Sequence, residues 1–325
     1  MYDSAVNDTT ESTAPITISV VVPVYNSADI VETTIDRTIA AFETFPWELE
    51  LILVNDGSSD SSWPKIRNRA AADDRIIAID LLRNYGQHNA NLCGIRQATG
   101  DWLVTMDDDL QNPPEEIEKL MARAMEGYDL VFGEFDSKKA SKTRTAGSGL
   151  IARMNTAIFD KPDDLIVSNF RLMERAVYER IAASNSAFPY ITGQSLMYSA
   201  NRANALVRHD ARTTGESNYH PLRIAGLVLR ILFSYSSAPL RLVGIIGALI
   251  AAASVIAGIG IGIRGLFTDE GVAGWTSTIV LLSLLNGVVI FMLGMLGEYL
   301  IRTLQQVSHS DAYHVRDSVG RDAIS

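Results

Sequence analysis

The 325-residue sequence is poor in cysteine and in basic residues, and both shortages exclude whole classes of protein. Its single cysteine, Cys93, cannot form an internal disulfide and suits a reducing compartment. Lysine and arginine together number 28 against 38 aspartates and glutamates, which gives a net charge of -10. Such an acidic chain lacks the basic surface that a nucleic acid requires, so we predict no nucleic-acid partner.

Residues 16–135 alternate between apolar, strand-like runs and stretches with helical periodicity. We predict strands over 16–25, 47–57, 75–82, 101–107 and 128–134, with helices over 28–42, 63–72, 88–98 and 114–125. Strands that are apolar along nearly their whole length are typical of a parallel sheet covered on both faces. The sequence therefore predicts an α/β fold in one large domain over 16–220. The polar residues 1–15 lack the segments of a signal peptide and are expected to form a disordered leader.

Polar clusters follow three of these strands where each strand ends: PVYNS (23–27), VNDGSSD (54–60) and MDDDLQ (106–111). Ligands bind beyond the carboxyl ends of the strands in open α/β sheets, so the clusters are expected to share one site. Taken singly, each has a plainer interpretation, because Asn, Asp and Gly also build tight turns and acidic triplets also occur on solvated loops. Their common position favours a binding site. Pro113 or Pro114 is expected to open the next helix.

The aspartate triplet is the strongest candidate for chemistry. Asp107 and Asp109 flank Asp108, and at alternate positions two carboxylates face one side while the middle one points away. Adjacent carboxylates repel one another unless a cation or solvent relieves them. Two hard oxygen ligands suit Mg²⁺ or Mn²⁺ that takes further oxygens from a diphosphate. We therefore predict a metal at Asp107 and Asp109.

Two long runs without charge, 242–263 and 275–297, distinguish the C-terminal third. Each is long enough as a helix to cross a hydrocarbon core of about 30 Å, and we predict two transmembrane helices rather than buried core helices. The preceding segment 221–241 is predicted to be an interfacial helix, a buried helix of the domain being the alternative. Arginines on the outer flanks favour a cytoplasmic domain, an external connector over 264–274 and a cytoplasmic tail over 298–325.

The chain resembles the family 2 glycosyltransferases, specifically the membrane-anchored polyprenyl-phosphate glycosyltransferases, over residues 16 to 315. The resemblance is carried by VVPVYNSADIV, VNDGSSDSS, RNYGQHNA, MDDDLQNPPEEI, EGYDLVFGE, NFRLMERAV, RTTGESNY and GMLGEYLIRTL, in the family's order and spacing. NYGQHNA and LQNPPEEI look most like the undecaprenyl-phosphate formamido-arabinose transferases, whereas FRLM looks more like the glucosyl transferases that feed O-antigen modification. The resemblance implies a glycosyltransferase A-type, Rossmann-like fold.

The resemblance also implies a nucleotide-diphosphate-sugar donor, usually uridine-based, and a polyprenyl phosphate acceptor. The residues assigned to the donor are Pro23, Tyr25, Asn26, Asp56, Asn84, Gln87, Asp107 and Asp108, with Asp107 and Asp109 as the metal ligands. Asp56 is expected to accept hydrogen bonds from the base or ribose, and Gly57 to let the backbone approach closely. His88 and Asn89 add to a density of polar side chains that exceeds what a helix cap needs.

Two departures from the family bear on the acceptor. Asn169 stands where many relatives have an aspartate proposed as catalytic, and a neutral amide cannot act as a base. Asn218 replaces a lysine of the family's pattern. A missing base need not abolish transfer, because the second pKa of a lipid monophosphate lies near 6 and its oxygen is largely ionised at pH 7.

Three arginines, Arg171, Arg208 and Arg212, are predicted to hold the acceptor's phosphate, since the planar arginine fork can bind two phosphate oxygens at once. The alternative is pairing with Asp210 or Glu216 on a solvated surface. With Asp107 and Asp109, these arginines complete the set of residues predicted to act in catalysis.

The resemblance implies transfer of one sugar from a nucleotide sugar to a polyprenyl phosphate, with inversion, and the flanking arginines favour the cytoplasmic face of the inner membrane. The lipid-linked sugar would serve modification of cell-envelope glycans such as lipopolysaccharide. One alternative is a processive polysaccharide synthase, against which the chain has no Q-x-x-R-W motif. Another is a non-catalytic membrane scaffold, against which both Asp107 and Asp109 are retained. A homo-oligomer is left open.

Overall fold

An eight-stranded sheet organises the protein in a computed structural model that describes residues 15–135, 146–185, 188–210, 274–307 and 312–321, with some positions between 226 and 267. The strands are β1 (Thr17–Val24), β2 (Glu48–Asn55), β3 (Ile76–Leu81), β4 (Trp102–Thr105), β5 (Leu130–Phe135), β6 (Arg171–Glu174), β7 (Arg202–Val207) and β8 (Val315–Val319). The helices are α1 (Val31–Phe42), α2 (Ser62–Ala72), α3 (Gln87–Gln97), α4 (Ile117–Ala124), α5 (Ala146–Phe159), α6 (Arg175–Ala182), α7 (Ile191–Tyr198) and α8 (Trp275–Val307). Of the predicted leader, residues 1–14 lie outside the described part of the chain.

The strands lie in the order β7-β5-β6-β4-β1-β2-β3-β8. Four consecutive strands of the sheet, β4, β1, β2 and β3, are parallel to one another. This arrangement confirms the predicted mostly parallel α/β sheet. The strands β6 and β8 run antiparallel to their neighbours, and β7 runs parallel to β5. A 3₁₀ turn over Pro114–Glu116 leads into α4, so Pro114 opens the helical segment as predicted.

Both faces of the central strands are buried because their side chains alternate between two hydrophobic cores. In β1, Val20 and Val22 belong to one core, whereas Val21 between them belongs to the other. In β2, Leu53 and Val54 divide in the same way. A strand buried on both faces needs apolar residues at every position, and this is why these strands are continuous apolar runs in the sequence.

The helix α3 lies unusually close to the sheet at Gly94. A Cβ atom at this position would come within 2.4 Å of a Val21 methyl carbon. The close approach fixes the start of α3, and with it Gln87, near the carboxyl end of β1.

The strand β6 inserts between β4 and β5, where the sequence predicted no strand. Leu172 and Met173 enter opposite cores, as in the central strands, but the first residue of the strand is the fully buried Arg171. A buried guanidinium at the carboxyl edge of the sheet is costly unless its donors are satisfied, and its partners are described with the site below.

The C-terminal region contributes the long helix α8 and then returns to the sheet as β8. No helix within the described residues combines the length and apolar character needed to cross a bilayer, so the transmembrane helix predicted over 275–297 is not found. The segment predicted as the other one, 242–263, is described only at scattered positions. The predicted connector over 264–274 lies almost wholly outside those residues. The tail over 298–325 was expected only as a tail, yet Val315–Val319 forms the edge strand beside β3.

The predicted interfacial segment 221–241 is described at only a few positions. Ile231 is buried in the second core, and the Tyr190 backbone N–H donates a hydrogen bond to the Tyr235 hydroxyl at 3.0 Å. At these positions the segment packs against the domain, as a buried helix would. An interfacial helix over the rest of the segment stays a prediction.

Candidate active site at the carboxyl edge of the sheet

A cleft of about 590 Å³ opens at the carboxyl edge of the sheet, between the loops that follow β1, β2, β3 and β4. It is lined by Pro23, Val24, Tyr25, Asn26, Ser27, Asp29, Ile30, Asp56, Asn84, Gly86, Gln87, Asp107, Asp108 and Asp109. The structure thus brings together every residue predicted for the donor site and for the metal. What each residue binds stays a prediction.

The Asp56 carboxylate, at the end of β2, accepts hydrogen bonds from the loop that follows β3. Its Oδ1 accepts a hydrogen bond from the Tyr85 N–H at 2.7 Å, and its Oδ2 accepts one from the Gly86 N–H at 2.9 Å. Burial raises the pKa of Asp56, and these two hydrogen bonds to the carboxylate partly offset the rise. Each oxygen keeps a second lone pair, so a ligand donor can still bind. No sequence pattern marks the two backbone donors.

Gly57 permits this junction. Its φ is +64°, and a Cβ atom built on it would lie 2.4 Å from the carbonyl carbon of Arg83. A close backbone approach was predicted at Gly57, and the partner proves to be the loop after β3. Any side chain here would push the two walls of the cleft apart.

The loops after β1 and β2 are joined through Asn26, which adopts the left-handed conformation with φ 51°. Its backbone N–H donates to the Ser58 hydroxyl at 2.9 Å, and its side-chain oxygen accepts from the Ser59 N–H at 2.9 Å. Tyr25, one residue earlier, leaves about half of its side chain exposed at the cleft. An exposed aromatic ring beside fixed polar groups can stack on a flat ligand such as a nucleobase.

The aspartate triplet lies beyond β4, which ends at Thr105, so the alternation of a strand does not set its geometry. Gln87 donates from Nε2 to the Oδ1 of Asp107 at 2.5 Å. Asp108 turns toward the loop after β1, where it hydrogen bonds with the side chain of Ser27, while its Oδ2 has no partner. The Asp109 Oδ1 accepts from the Gln111 N–H at 3.1 Å. All three aspartates line the cleft, and the side chain of Asp108 is turned toward Ser27.

Burial of the aspartate triplet makes two of its carboxylates, Asp107 and Asp108, harder to ionise. Burial, and then repulsion from Asp109, raises the pKa of Asp107. Burial likewise raises the pKa of Asp108 to about 6. A nearby cation stabilises the ionised form of such carboxylates and lowers their pKa.

A divalent cation fits this donor set. Within the described residues no group of three or more His, Cys, Asp and Glu side chains could enclose a metal by itself. Mg²⁺ commonly binds through one or two carboxylates and completes its shell with water and phosphate oxygens. The mutual repulsion of Asp107 and Asp109 matches a site of that open kind.

Arg171 lies behind the triplet rather than in the open cleft. Its Nε donates to the Thr105 hydroxyl at 3.1 Å, its Nη1 to the Thr192 hydroxyl at 3.0 Å, and its Nη2 to the Asn169 Oδ1 at 3.4 Å. Burial lowers the pKa of Arg171 to about 10, so it stays protonated at neutral pH. The guanidinium is fully enclosed and does not face solvent. The predicted role of Arg171 in holding the acceptor's phosphate stays a prediction.

A further polar group lies beside Arg171 at the start of α3. The ring of His88 packs edge-on against Tyr190, with centroids 5.4 Å apart, and the Tyr190 hydroxyl hydrogen bonds with the Asn155 side chain at 3.2 Å. Burial, and then the charge of Arg171, lowers the pKa of His88 to about 4, so the ring is neutral. Tyr190 and Asn155 carry no sequence signal, because isolated polar residues among apolar ones are common in cores.

Arg208 lies beside the triplet but on the surface. Its Nε is 3.1 Å from the Asp210 Oδ1, and more than half of its side chain is exposed, as in the surface-pair alternative. The Asp210 N–H donates to the Gln111 carbonyl at 3.1 Å, which places this loop next to Asp109. Arg212 lies outside the described residues, so its predicted role is not tested.

Comparison with known proteins finds a match between residues 19–182 and the glycosyl transferase family 2 model. The chain is 34% identical to the undecaprenyl-phosphate 4-deoxy-4-formamido-L-arabinose transferase of Proteus mirabilis (strain HI4320), across 93% of this chain and 94% of the relative. It is 33% identical to the protein of that name from Shewanella sediminis (strain HAW-EB3), across 92% of each chain.

Among solved structures, the fold is similar to mannosyl-3-phosphoglycerate synthase from Rubrobacter xylanophilus, with a TM-score of 0.51 and 15% identity. The match covers 70% of this chain and 75% of that one. At this identity the likeness concerns the fold alone, which is of the glycosyltransferase A type.

Proposed function

Because this chain belongs to glycosyl transferase family 2, and is thus a glycosyltransferase, we propose that it transfers one sugar from a nucleoside-diphosphate sugar to a polyprenyl phosphate. The observation that carries the proposal is the cleft that holds Tyr25, Asp56 and all three aspartates of the triplet. Relatives named as undecaprenyl-phosphate sugar transferases match over nearly the full length of this chain, which supports the lipid phosphate as acceptor.

The donor would lie along the carboxyl edge of the sheet. Tyr25 and Asn26 would contact the nucleoside, which we take to be uridine, together with Asp56 and Asn84. A divalent cation of the Mg²⁺ or Mn²⁺ kind, held by Asp107 and Asp109, would neutralise charge on the leaving diphosphate. Gln87 fixes the Asp107 carboxylate through its 2.5 Å hydrogen bond, which leaves that ligand preorganised.

The chemical step would be an in-line displacement with inversion. An oxygen of the lipid phosphate forms a bond to the anomeric carbon as the bond from that carbon to the diphosphate breaks. Asn169 is neutral and is occupied by its contact with Arg171, so it takes no proton. None needs to be taken, because the acceptor phosphate, with a pKa near 6, is already largely ionised at pH 7.

The acceptor phosphate needs cations between the triplet and the lipid. Arg208 is well placed in the loop beside Asp109, but it must first exchange Asp210 for the phosphate. An exposed ion pair of this kind is worth at most about 1 kcal/mol, so the exchange costs little. We propose Arg212, four residues later, as the second cation of the clamp. Arg171 would act from behind, as a buried charge near Asp107.

The polyprenyl tail of the acceptor would contact the apolar surface of α8. Large apolar side chains are exposed on it at Leu281, Leu282, Val289, Phe291, Leu293, Leu296 and Leu300. Contiguous exposed apolar surface marks contact with lipid or with another protein. Combined with the arginines flanking this region, it supports our proposal that the enzyme works at the cytoplasmic face of the inner membrane.

The proposal is tested with the full chain, a panel of UDP-sugars, and undecaprenyl phosphate in lipid vesicles, by following labelled sugar into the lipid fraction. We expect one sugar per lipid from one donor of the panel. Asp107→Asn should lose transfer, whereas Asp101→Asn, at the opposite end of β4, should retain it. Products longer than one sugar would favour a processive synthase. Nucleotide binding without any transfer would favour a scaffold.

Arg212 is tested in the same assay. Arg212→Ala should raise the apparent KM for lipid phosphate or lower kcat, with nucleotide-sugar binding near wild type. Arg212→Lys should recover only part of the loss, because lysine keeps the charge without the fork. Weaker nucleotide binding with unchanged lipid kinetics would place the clamp elsewhere.

A further inference from the structure

The edge strand β8 is bonded to the loop that forms one wall of the cleft. The pairing of β8 with β3 changes register between Asp80 and Leu81, at the carboxyl end of β3. Beyond this point, the Leu82 N–H donates to the His314 carbonyl at 2.9 Å. The C-terminal region therefore follows the chain out of the sheet and onto the loop over residues 82–86.

Arg316 joins this loop to a buried carboxylate. Its Nη2 donates to the Leu82 carbonyl, and its Nη1 lies 3.3 Å from the Oδ2 of Asp80, which is almost fully buried. The other Asp80 oxygen, Oδ1, accepts from the Asn55 side chain at 2.6 Å. One guanidinium thus fixes the start of the loop and neutralises the acid beside it.

The contacts of Arg316 with Leu82 and with Asp80 are both connected to Asp56. Asn55 immediately precedes Asp56 in the chain, and residues 85 and 86 of the loop donate their backbone N–H groups to the Asp56 carboxylate. The loop itself supplies Asn84 and Gly86 to the cleft. The His314 ring also packs edge-on against Tyr85, with centroids 6.3 Å apart. A shift of the loop would therefore change the cleft where the nucleoside is expected.

We propose that Arg316 is a positioning residue for the donor: from outside the cleft, it holds the 82–86 wall in the shape that binds the nucleotide. Arg316 does not line the cleft, and it acts through Leu82 and Asp80. This inference rests on the proposed function for the identity of the ligand. The rigidity of the wall can be measured without any ligand.

The same tail contains a matched control. Arg321 also pairs with a buried acid, Glu50, and donates to the Thr99 hydroxyl. Glu50 lies at the opposite end of the sheet, where it accepts from Ser19 and from the Thr99 N–H. Arg316 and Arg321 have similar exposure and each pairs with a buried acid, but the partners of Arg321 lie far from the cleft.

The experiment compares Arg316→Ala and Arg321→Ala in the full chain, with UDP and Mg²⁺ as the binding probe and amide hydrogen exchange as the ligand-free readout. Arg316→Ala should raise the Kd for UDP roughly tenfold, and the donor KM with it, at little change in kcat. It should also speed exchange of the Tyr85 and Gly86 amides. Arg321→Ala should leave all of these near wild type, even if both variants lower Tm equally.

Equal effects of the two variants, or wild-type exchange of Tyr85 and Gly86 in Arg316→Ala, would overturn the inference. If the wild-type chain failed to bind UDP, the proposed donor would be at fault, and the exchange rates would still decide the role of Arg316. Should Arg316→Ala fail to fold, Arg316→Lys supplies the test. It keeps a charge near Asp80 but loses the fork, so exchange at Tyr85 should still rise.

Discussion

Arg171 donates a hydrogen bond from Nη2 to the Oδ1 of Asn169 at 3.4 Å, in the interior of the protein. The Asn169 side chain also hydrogen bonds with Asp107 and thereby offsets part of the rise in the pKa of that carboxyl. An amide can accept from a cation at its oxygen and donate to an anion at its nitrogen. Asn169 is therefore matched to its two neighbours in a way that an aspartate would not be.

Replacing Asn169 by Asp should impair the enzyme rather than restore a missing base. The new carboxylate could accept from Arg171 but would repel Asp107 instead of donating to it, and one pK unit of such repulsion corresponds to about tenfold in an equilibrium. We expect transfer to fall at least that far, measured as kcat with saturating donor and acceptor. Asn68→Asp, which adds the same charge on the exposed face of α2, should behave as wild type. A gain in rate would show that the position serves as a base.

Removing a metal ligand should abolish transfer. Asp107→Asn or Asp109→Asn should lower kcat by about 10²–10³, because charge on the leaving diphosphate would lose its compensation. EDTA should inactivate the wild type, and added Mg²⁺ or Mn²⁺ should restore it. Mn²⁺ binding, followed by electron paramagnetic resonance, should weaken in both variants and much less in Asp108→Asn, whose side chain contacts Ser27. Full activity in a metal-free preparation would refute the metal site.

Gly57→Ala should damage the donor site through the backbone. The added methyl would meet Arg83 at 2.4 Å and force the walls of the cleft apart, so we expect the donor KM to rise roughly tenfold or more. Gly127→Ala is the control, since Gly127 also has a positive φ but has nothing within 4 Å of the point where the added methyl would lie. Both variants bear the strain of alanine at positive φ, about 1 kcal/mol, and should lose comparable stability from it. Only Gly57→Ala should lose donor affinity.

His88 should make the domain less stable in acid. Its pKa is about 4 in the folded protein, facing Arg171 and Tyr190, against about 6.5 when unfolded. Between these values only the unfolded chain binds the proton, so the free energy of unfolding should fall by about 1.4 kcal/mol for each pH unit below 6.5, down to about 4. Urea unfolding at several pH values measures this slope. His88→Gln should flatten it by that amount, and an unchanged slope would mean that another group is responsible.

The central sheet and the position of the cleft could be predicted because buried parallel strands are continuous apolar runs and end at one edge. β1 to β5 were found in this way, within a few residues of their observed ends. The strands β6 and β8 could not be. β6 begins with a buried arginine whose partners, Thr105 and Thr192, come from distant elements. β8, with the sequence VRDSV, is a short and polar edge strand.

Within the site, the identities of the cleft residues could be predicted but not all their contacts. Asp56 was expected to bind a ligand, whereas its observed partners are the backbone N–H groups of Tyr85 and Gly86. Backbone donors leave no mark on a sequence. The contact of Asp108 with Ser27 could not be predicted, because β4 ends two residues before the triplet and the rule of alternating faces no longer applies there.

The pairing of β8 with β3 also sets the order in which the protein can be completed. Residues 82–314, including β4 to β7 and α8, separate the two partners in the chain. During synthesis, one edge of β3 therefore stays unpaired until residue 319 has left the ribosome. An unpaired edge of this kind is a template for association with other chains. Nascent chains that stall before residue 315 should accordingly depend on chaperones, even though most of the sheet has already been made.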